Sequence, residues 1–164
     1  MSVESARAHL AQFGKEDAIL FFHESSATVE LAAHALHTQP GRIAKTLSFL
    51  TENGPILIVC AGDARIDNRR YKDLFHQKAK MLTPQQVEEY TTHPVGGVCP
   101  FGVPENVKIY LDESLKRFDI VYPACGSGNS AIPLTCEELA QYSACQGWVD
   151  VCKDWGRENH EETL

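Results

Sequence analysis

Along this chain the spacing of apolar positions changes repeatedly, and each change marks a predicted element. Val3, Ala6 or Ala8, Leu10 and Phe13 recur at a helical period, which predicts a first helix capped by Ser2 and running to about Phe13. Residues 18–22 form a short unbroken apolar run, read as a buried strand ending at His23-Glu24-Ser25-Ser26. Thr28 then caps a second helix. Its Val29, Ala32, Ala33 and Leu36 match the i, i+3, i+4, i+7 pattern, so one face must pack on a sheet, and Pro40-Gly41 stops it.

The strongest strand signal follows. Residues 45–50 and 56–60 are apolar runs separated by Asn53-Gly54, a dipeptide suited to a tight hairpin. In the first run Lys45 alternates with Leu47 and Phe49, which places a lysine at the head of a core-facing row. Asp67 can cap a short basic helix to about Phe75. Thr83-Pro84-Gln85-Gln86 combines an N-cap, an N1 proline and a capping-box glutamine, and predicts a helix to about Tyr90. Residues 107–111 and 118–122 read as strands, Thr135-Cys136-Glu137-Glu138 as a further capping box, and 148–151 as a short closing strand. Residues 153–164 are a polar tail. Strand and helix signals alternate irregularly around at least one hairpin. That pattern predicts one mixed α+β domain over residues 1–164 rather than a doubly wound parallel sheet.

Composition narrows the class without naming a function. At 43% hydrophobic and 23% charged, 164 residues suit one ordinary globular domain. No apolar run is long enough to span a bilayer, and the first ten residues hold no apolar signal core, so the expected location is cytoplasmic, with no membrane partner. The six cysteines form no C-x-x-C pair and no zinc-spaced cluster, so they read as reduced thiols, and neither metal nor cofactor is expected. Cys99 and Cys125 stand apart because they sit in glycine-rich loops. A net charge of −7 argues against a general nucleic-acid binder. Between 65 and 80, however, Arg65, Arg69, Arg70, Lys72, Lys78 and Lys80 face only Asp67 and Asp73. Such a run is either a solvated helix face or a local phosphate contact.

Candidate chemistry centres on Gly96-Gly97-Val98-Cys99-Pro100-Phe101-Gly102. Three glycines and a proline in seven residues make a loop, either a plain turn or bare backbone whose N–H groups can meet an anion or a developing oxyanion. Gly126-Ser127-Gly128-Asn129-Ser130-Ala131 fits G-x-G-x-x-A superficially, but Pro133 bars the helix that a dinucleotide fingerprint must open. No G-x-S-x-G or papain-like surround marks a nucleophile. His23 and His93 border these loops and read as capping or packing histidines. A lysine and two glycine loops remain, equipment for holding a phosphate or an ester carbonyl by position and electrostatics.

These segments together resemble the YbaK/EbsC family of aminoacyl-tRNA editing domains, which are similar to the editing insertion of bacterial prolyl-tRNA synthetases. The resemblance covers about residues 15–152 and is carried by Thr28-Val29-Glu30-Leu31-Ala32-Ala33, Ile43-Ala44-Lys45-Thr46-Leu47, the 96–102 loop, Ala124-Cys125-Gly126 and Leu134-Thr135-Cys136-Glu137-Glu138-Leu139. It implies a mixed, mostly antiparallel sheet or pseudo-barrel flanked by helices. It also implies a free-standing deacylase that hydrolyses the ester of a wrong amino acid on the tRNA 3′ end, typically on tRNA for proline. On this basis Lys45 engages the terminal adenosine or its phosphate, while Gly96, Gly97 and Pro100 hold the ester. Phe22, Thr46, Val98, Cys99, Phe101, Gly126 and Asn129 contact the substrate, and Arg65, Arg69, Arg70 and Lys72 contact tRNA phosphates. The implied partners are aminoacyl-tRNA and a prolyl-tRNA synthetase. Ala124 and Ala131 stand where cysteine-removing members carry a serine and an aspartate, which departs from a cysteine-specific mechanism, and the Gly126-Ser127-Gly128-Asn129 loop resembles that of free-standing members that clear alanine, serine or threonine. Two other readings stay open: a binding module of the same fold without turnover, and a thiol hydrolase or sensor using Cys99 or Cys125.

Overall fold

A hairpin of two long strands forms the longest ladder among the described residues, and the other elements assemble around it. In the computed structural model, which describes residues 2–155, β2 (Ile43–Thr51) and β3 (Gly54–Ala61) pair antiparallel from Ala44↔Ala61 to Thr51↔Gly54. That register makes Glu52 and Asn53 the two-residue loop, one residue earlier than the Asn53-Gly54 expectation, and the positive φ of 114° falls on Gly54. Every residue of β3 from Pro55 to Ala61 is buried. An unbroken apolar run suits a strand covered on both faces, each fully buried aliphatic side chain contributing about 1.5–3 kcal/mol.

Parallel strands flank the hairpin. β5 (Lys108–Asp112) pairs parallel with β3, and β8 (Gly147–Val149) pairs parallel with β5. On the other side β6 (Tyr122–Pro123) pairs parallel with β2, but only at Ile43 and Ala44. The order β6-β2-β3-β5-β8 is thus a mixed sheet of an α+β fold. Two small antiparallel ribbons complete it: β1 (Leu20–Phe21) with β7 (Ser130–Ala131), and β4 (Arg65–Ile66) with β9 (Cys152–Lys153).

Local capping chemistry sets the helices as the sequence predicts. α2 (Val29–Leu36) starts at Thr28, whose side chain accepts from Leu31 N–H, and it ends at His37 in the left-handed region, ahead of Pro40-Gly41. Asp67 caps α3 (Asn68–Phe75), and full capping boxes open α4 (Pro84–Thr91) and α5 (Cys136–Ser143). α1 (Ser2–Ala11) has its first helical residue at Ser2, the predicted cap, and buries Ala6 and Leu10. Phe13 beyond it stacks on Tyr142 of α5 at 4.5 Å between centroids.

Other expectations also depart from the structure. The 18–22 run is not a buried strand: a 3-10 turn covers Glu16–Ala18, and Leu20 and Phe21 are 40% and 53% exposed. Their ribbon is separate from the main sheet, with β1 exposed while its partner β7 is buried. Residues 118–120 lie outside any strand, and pairing there begins with the Val121↔Leu134 bridge. The polar tail starts later than predicted, because Lys153 belongs to β9 and Trp155 donates to the Cys152 carbonyl. Residues 156–164 of that predicted tail lie outside the described residues. Among the described residues no helix is long and apolar enough to cross a membrane.

Tyr71 of α3 packs on Phe49 at 5.0 Å between centroids, fully buried, and its hydroxyl has no hydrogen-bond partner among the described residues. Burial pushes that phenol up to about 12. An unsatisfied buried hydroxyl costs about 1–3 kcal/mol. Tyr71→Phe should therefore raise stability by about 1 kcal/mol in urea unfolding; a loss of that size would mean the hydroxyl has a partner after all.

Candidate functional site

A cavity of about 390 Å³ opens beside β2, within the size range of small-ligand sites. Its floor is β2 from Ile43 to Ser48, with Val29 and Ala32 of α2 on one flank and Met81, Leu82 and Val87 on another. Val95, Gly96 and Val98 form part of its rim, and Tyr122, Ala124, Ser130 and Ala131 a further wall. Most of this lining is apolar. Lys45 and Tyr122 are its only ionisable side chains among the described residues, so the wall carries no carboxylate, imidazole or thiol.

Lys45 is held by the chain that follows the hairpin. Its Nζ donates to the Gly62 carbonyl at 3.3 Å and to the Ala64 carbonyl. Both acceptors are neutral, and no carboxylate among the described residues lies within ion-pair reach of Nζ. An ammonium has three N–H donors. Two carbonyls therefore orient this one and leave a donor and the whole positive charge for an anion. Two hydroxyls at the cavity wall, Ser26 Oγ and Thr46 Oγ1, are buried without a hydrogen-bond partner among the described residues.

The glycine loop owes its shape to two different requirements. Gly97 N–H donates to the Pro94 carbonyl at 2.9 Å, closing a turn in which Gly96 takes φ 92° at the third position, as a type II turn demands. Gly97 itself is buried, and a Cβ there would lie 2.6 Å from the N and Cα of Ser127. The 94–102 and 126–129 loops therefore touch backbone to backbone. The end of the first loop is pinned from outside, because Gly102 N–H donates to Nδ1 of His9, whose Nε2–H donates to the Tyr142 carbonyl.

The candidate residues separate accordingly. Lys45, Thr46, Gly96 and Val98 meet around one cavity. Gly97 does not reach the lining, and its N–H is already spent on the turn, so its place is loop-to-loop packing rather than contact with an ester. Pro100, Cys99, Phe101 and Gly126 are buried behind the wall because the two loops pack their inner sides against the core. Phe22 lies instead in a shallow depression with Phe21, His23 and Glu24, tied to Asn129 by Phe22 N–H to the Asn129 carbonyl and Asn129 Nδ2 to the Phe22 carbonyl. Neither residue is part of the cavity lining, although Ser130 and Ala131 of the same ribbon are. Ala124 and Ala131, noted in the sequence only as departures, do line it. The contributions of Ser26, Met81, Val87 and Tyr122 depend on chain crossings that no local signal announces.

The basic segment is only partly available. Arg70 pairs with Asp67 and Asp150 at 3.6 and 3.2 Å, and Arg65 lies 4.0 Å from Asp154. Arg69 and Lys72 are exposed, with no ion pair among the described residues. Exposed pairs of this kind contribute about 0–1 kcal/mol and yield readily to a phosphate.

Thiol chemistry finds no support. Cys99 is fully buried, and desolvation pushes its thiol up to about 12 despite backbone hydrogen bonds that favour the thiolate. Burial likewise raises Cys125, and the nearby Cys99 adds to the effect. Neither can supply a thiolate near neutral pH. His93 is buried as a packing residue: Nε2–H donates to the Phe101 carbonyl at 2.7 Å, and Cys99 Sγ lies 3.5 Å from the same nitrogen.

A model of the aminoacyl-tRNA editing domain matches residues 23–142, and the chain belongs to that family. The uncharacterized protein YwhH of Bacillus subtilis is 53% identical over 156 residues, which cover 94% of this chain and 99% of YwhH. EbsC of Enterococcus faecalis, named as a proposed Cys-tRNA(Pro)/Cys-tRNA(Cys) deacylase, is 27% identical over 118 residues, 71% of this chain and 72% of that one. Among solved structures, one described as a proposed trans-editing enzyme for prolyl tRNA synthetase superposes with a TM-score of 0.84 at 28% identity. The match covers 93% of this chain and 97% of the other.

Two measurements test this geometry. Gly97→Ala should cost about 1–3 kcal/mol in urea unfolding, because backbone must move to admit the methyl; an unchanged midpoint would show that the loops part freely. Burial holds His93 below its ordinary value of 6.5, so as pH falls the unfolded chain takes up its proton first. The stability contributed by this group is complete above 6.5 and declines as pH drops from there towards the folded value. His93→Gln keeps a donor for Phe101 and should flatten that slope; identical slopes in the two proteins would rule out His93 as its source.

Proposed function

We propose that this protein is an aminoacyl-tRNA deacylase acting in trans, on tRNA for proline that carries a small non-cognate amino acid. The observation that carries this reading is Lys45: a cation oriented by two neutral carbonyls at the edge of an apolar cavity in a chain of the editing-domain family. The 3′-terminal adenosine and its phosphate would meet the ammonium, and the aminoacyl ester would enter the cavity. Gly96, whose bare backbone lies at the cavity rim, is the loop residue best placed to polarise the ester carbonyl, while Gly97 and Pro100 shape the loop behind it.

With no carboxylate, imidazole or thiol in the wall among the described residues, hydrolysis would rely on an oriented water and on stabilising charge at the carbonyl oxygen. A single such donor is typically worth about 10²–10³ in rate. The methyl groups of Ala124 and Ala131 and the branched Val98 leave room for a small side chain. Separating a small residue from proline is then a question of pocket size and editing, as in other synthetase systems. Arg69 and Lys72, with the weakly paired Arg65 and Arg70, supply phosphate contacts on an otherwise acidic body. A prolyl-tRNA synthetase would supply the mischarged tRNA.

A wall without carboxylate, imidazole or thiol among the described residues also suits a second reading, a domain that binds aminoacyl-tRNA without turning it over. A panel of alanyl, seryl, threonyl and cysteinyl esters on proline tRNA separates the two. Alanyl, seryl and threonyl esters should be cleaved in preference to cysteinyl, and Lys45→Ala should lower kcat/KM by about 10² or more while the fold is kept. Full activity in Lys45→Ala would remove the lysine from the mechanism, and binding without cleavage across the panel would favour the second reading.

A further inference from the structure

The outer edge of β2 is bridged twice and left open between the bridges. At its start β6 pairs with Ile43 and Ala44. At its far end the segment before α4 takes over: Leu50 N–H donates to the Lys80 carbonyl, and Leu82 N–H donates to the Ser48 carbonyl. Within a strand, the N–H and C=O of one residue point to the same side, and successive residues alternate sides. The outward groups of Ser48 and Leu50 therefore fix those of Thr46 as outward too. Lys45 and Leu47 turn their peptide groups to β3. Thr46 thus presents one donor and one acceptor at a gap in the ladder, on a strand that floors the cavity.

From this register we infer that the aminoacyl group is captured as a one-residue addition to the β2 edge, the Thr46 N–H donating to the ester carbonyl and the Thr46 C=O accepting from the α-ammonium. The inference rests on the deacylase reading for the identity of the ligand. The fit is chemical and dimensional. Two residues in a hydrogen-bonded antiparallel pair exchange both their N–H···O bonds, so a single amino-acid residue satisfies a single strand residue completely. From Ala44 to Ser48 the strand rises about 13 Å, and both ends are already occupied by backbone, so the gap takes one residue and rejects an extended peptide. An aminoacyl ester is one residue long and continues as ribose. Its amine is also a charged donor, which makes the bond to the Thr46 carbonyl the stronger of the two. The unpartnered Thr46 Oγ1 and Ser26 Oγ at the same wall add hydroxyls for the ligand's remaining polar atoms. Capture of this kind demands a free α-amine and draws nothing from the amino-acid side chain, which is left to the methyl-lined wall to select.

The probe is 3′-amino-3′-deoxyadenosine acylated with L-alanine, whose amide resists hydrolysis, titrated into the ¹⁵N-labelled full chain. At saturation the Thr46 amide proton should be among the largest shifts, and its hydrogen exchange should slow by about tenfold or more. The lactyl counterpart, with hydroxyl in place of the amine, should bind about tenfold or more weakly, since a charge-assisted bond is replaced by a neutral one. A silent Thr46 amide at saturation, equal affinity for the two amides, or no binding at all would overturn edge capture. Alanyl-tRNA hydrolysis measured on the same preparation separates this from the proposed function. Turnover with a silent Thr46 removes edge capture alone, whereas a responding Thr46 without turnover keeps it and removes the deacylase reading.

Discussion

β2 has to complete its hydrogen bonds on two sides, and only one side is continuous. Towards β3 it forms an eight-pair ladder buried in the core. Towards the other side it meets β6 for two residues and the chain before α4 for a short stretch. β6 is cut short because Ala124, Cys125 and Gly126 turn into the second loop. The segment before α4 approaches only as far as Leu82, where Thr83 starts the helix cap. The cavity is the space these two half-partners fail to fill. Its apolar walls come from the helices and loops, and its floor brings backbone polarity and Lys45 to the same place.

The loops that close this space are tied down at several points. Gly96 makes a type II turn possible, Gly97 allows contact with Ser127, and Gly102 is held by His9, which is itself held by the α5 end. Behind them, buried His93, Cys99 and Phe101 share hydrogen bonds through one carbonyl. A thiol and an imidazole packed this way raise the packing density of the wall and remain uncharged. Their pKa directions, up for the thiol and down for the imidazole, have the same cause: desolvation of the charged form.

Electrostatics then gives the surface a direction. The body carries a net charge of −7, while the chain just past the carbonyls that hold Lys45 begins the basic segment at Arg65. Asp150 and Asp154, brought alongside by the β4–β9 ribbon, offset part of that charge. Among the described residues, Arg69, Lys72, Lys78, Lys80 and the ammonium of Lys45 form no ion pair.

The sequence by itself determined the elements whose signals are local. Thr28, Asp67, Thr83 and Thr135 cap helices through bonds to residues two or three positions away, and the hairpin follows from two apolar runs with a short polar break. The glycine loops, the lysine heading the β2 row and the family resemblance were legible in the same way. Tertiary structure alone decided the rest. The 18–22 run marks an extended segment, but its exposure depends on whether a second layer covers it. Lys45 finds its carbonyls 17 and 19 residues onward, and Gly97 needs its missing side chain because of Ser127 in another loop. Which candidate residues face the cavity and which stand behind it is fixed by chain crossings between distant segments. Periodicity and turn chemistry report only on neighbours along the chain, so they carry no record of those crossings.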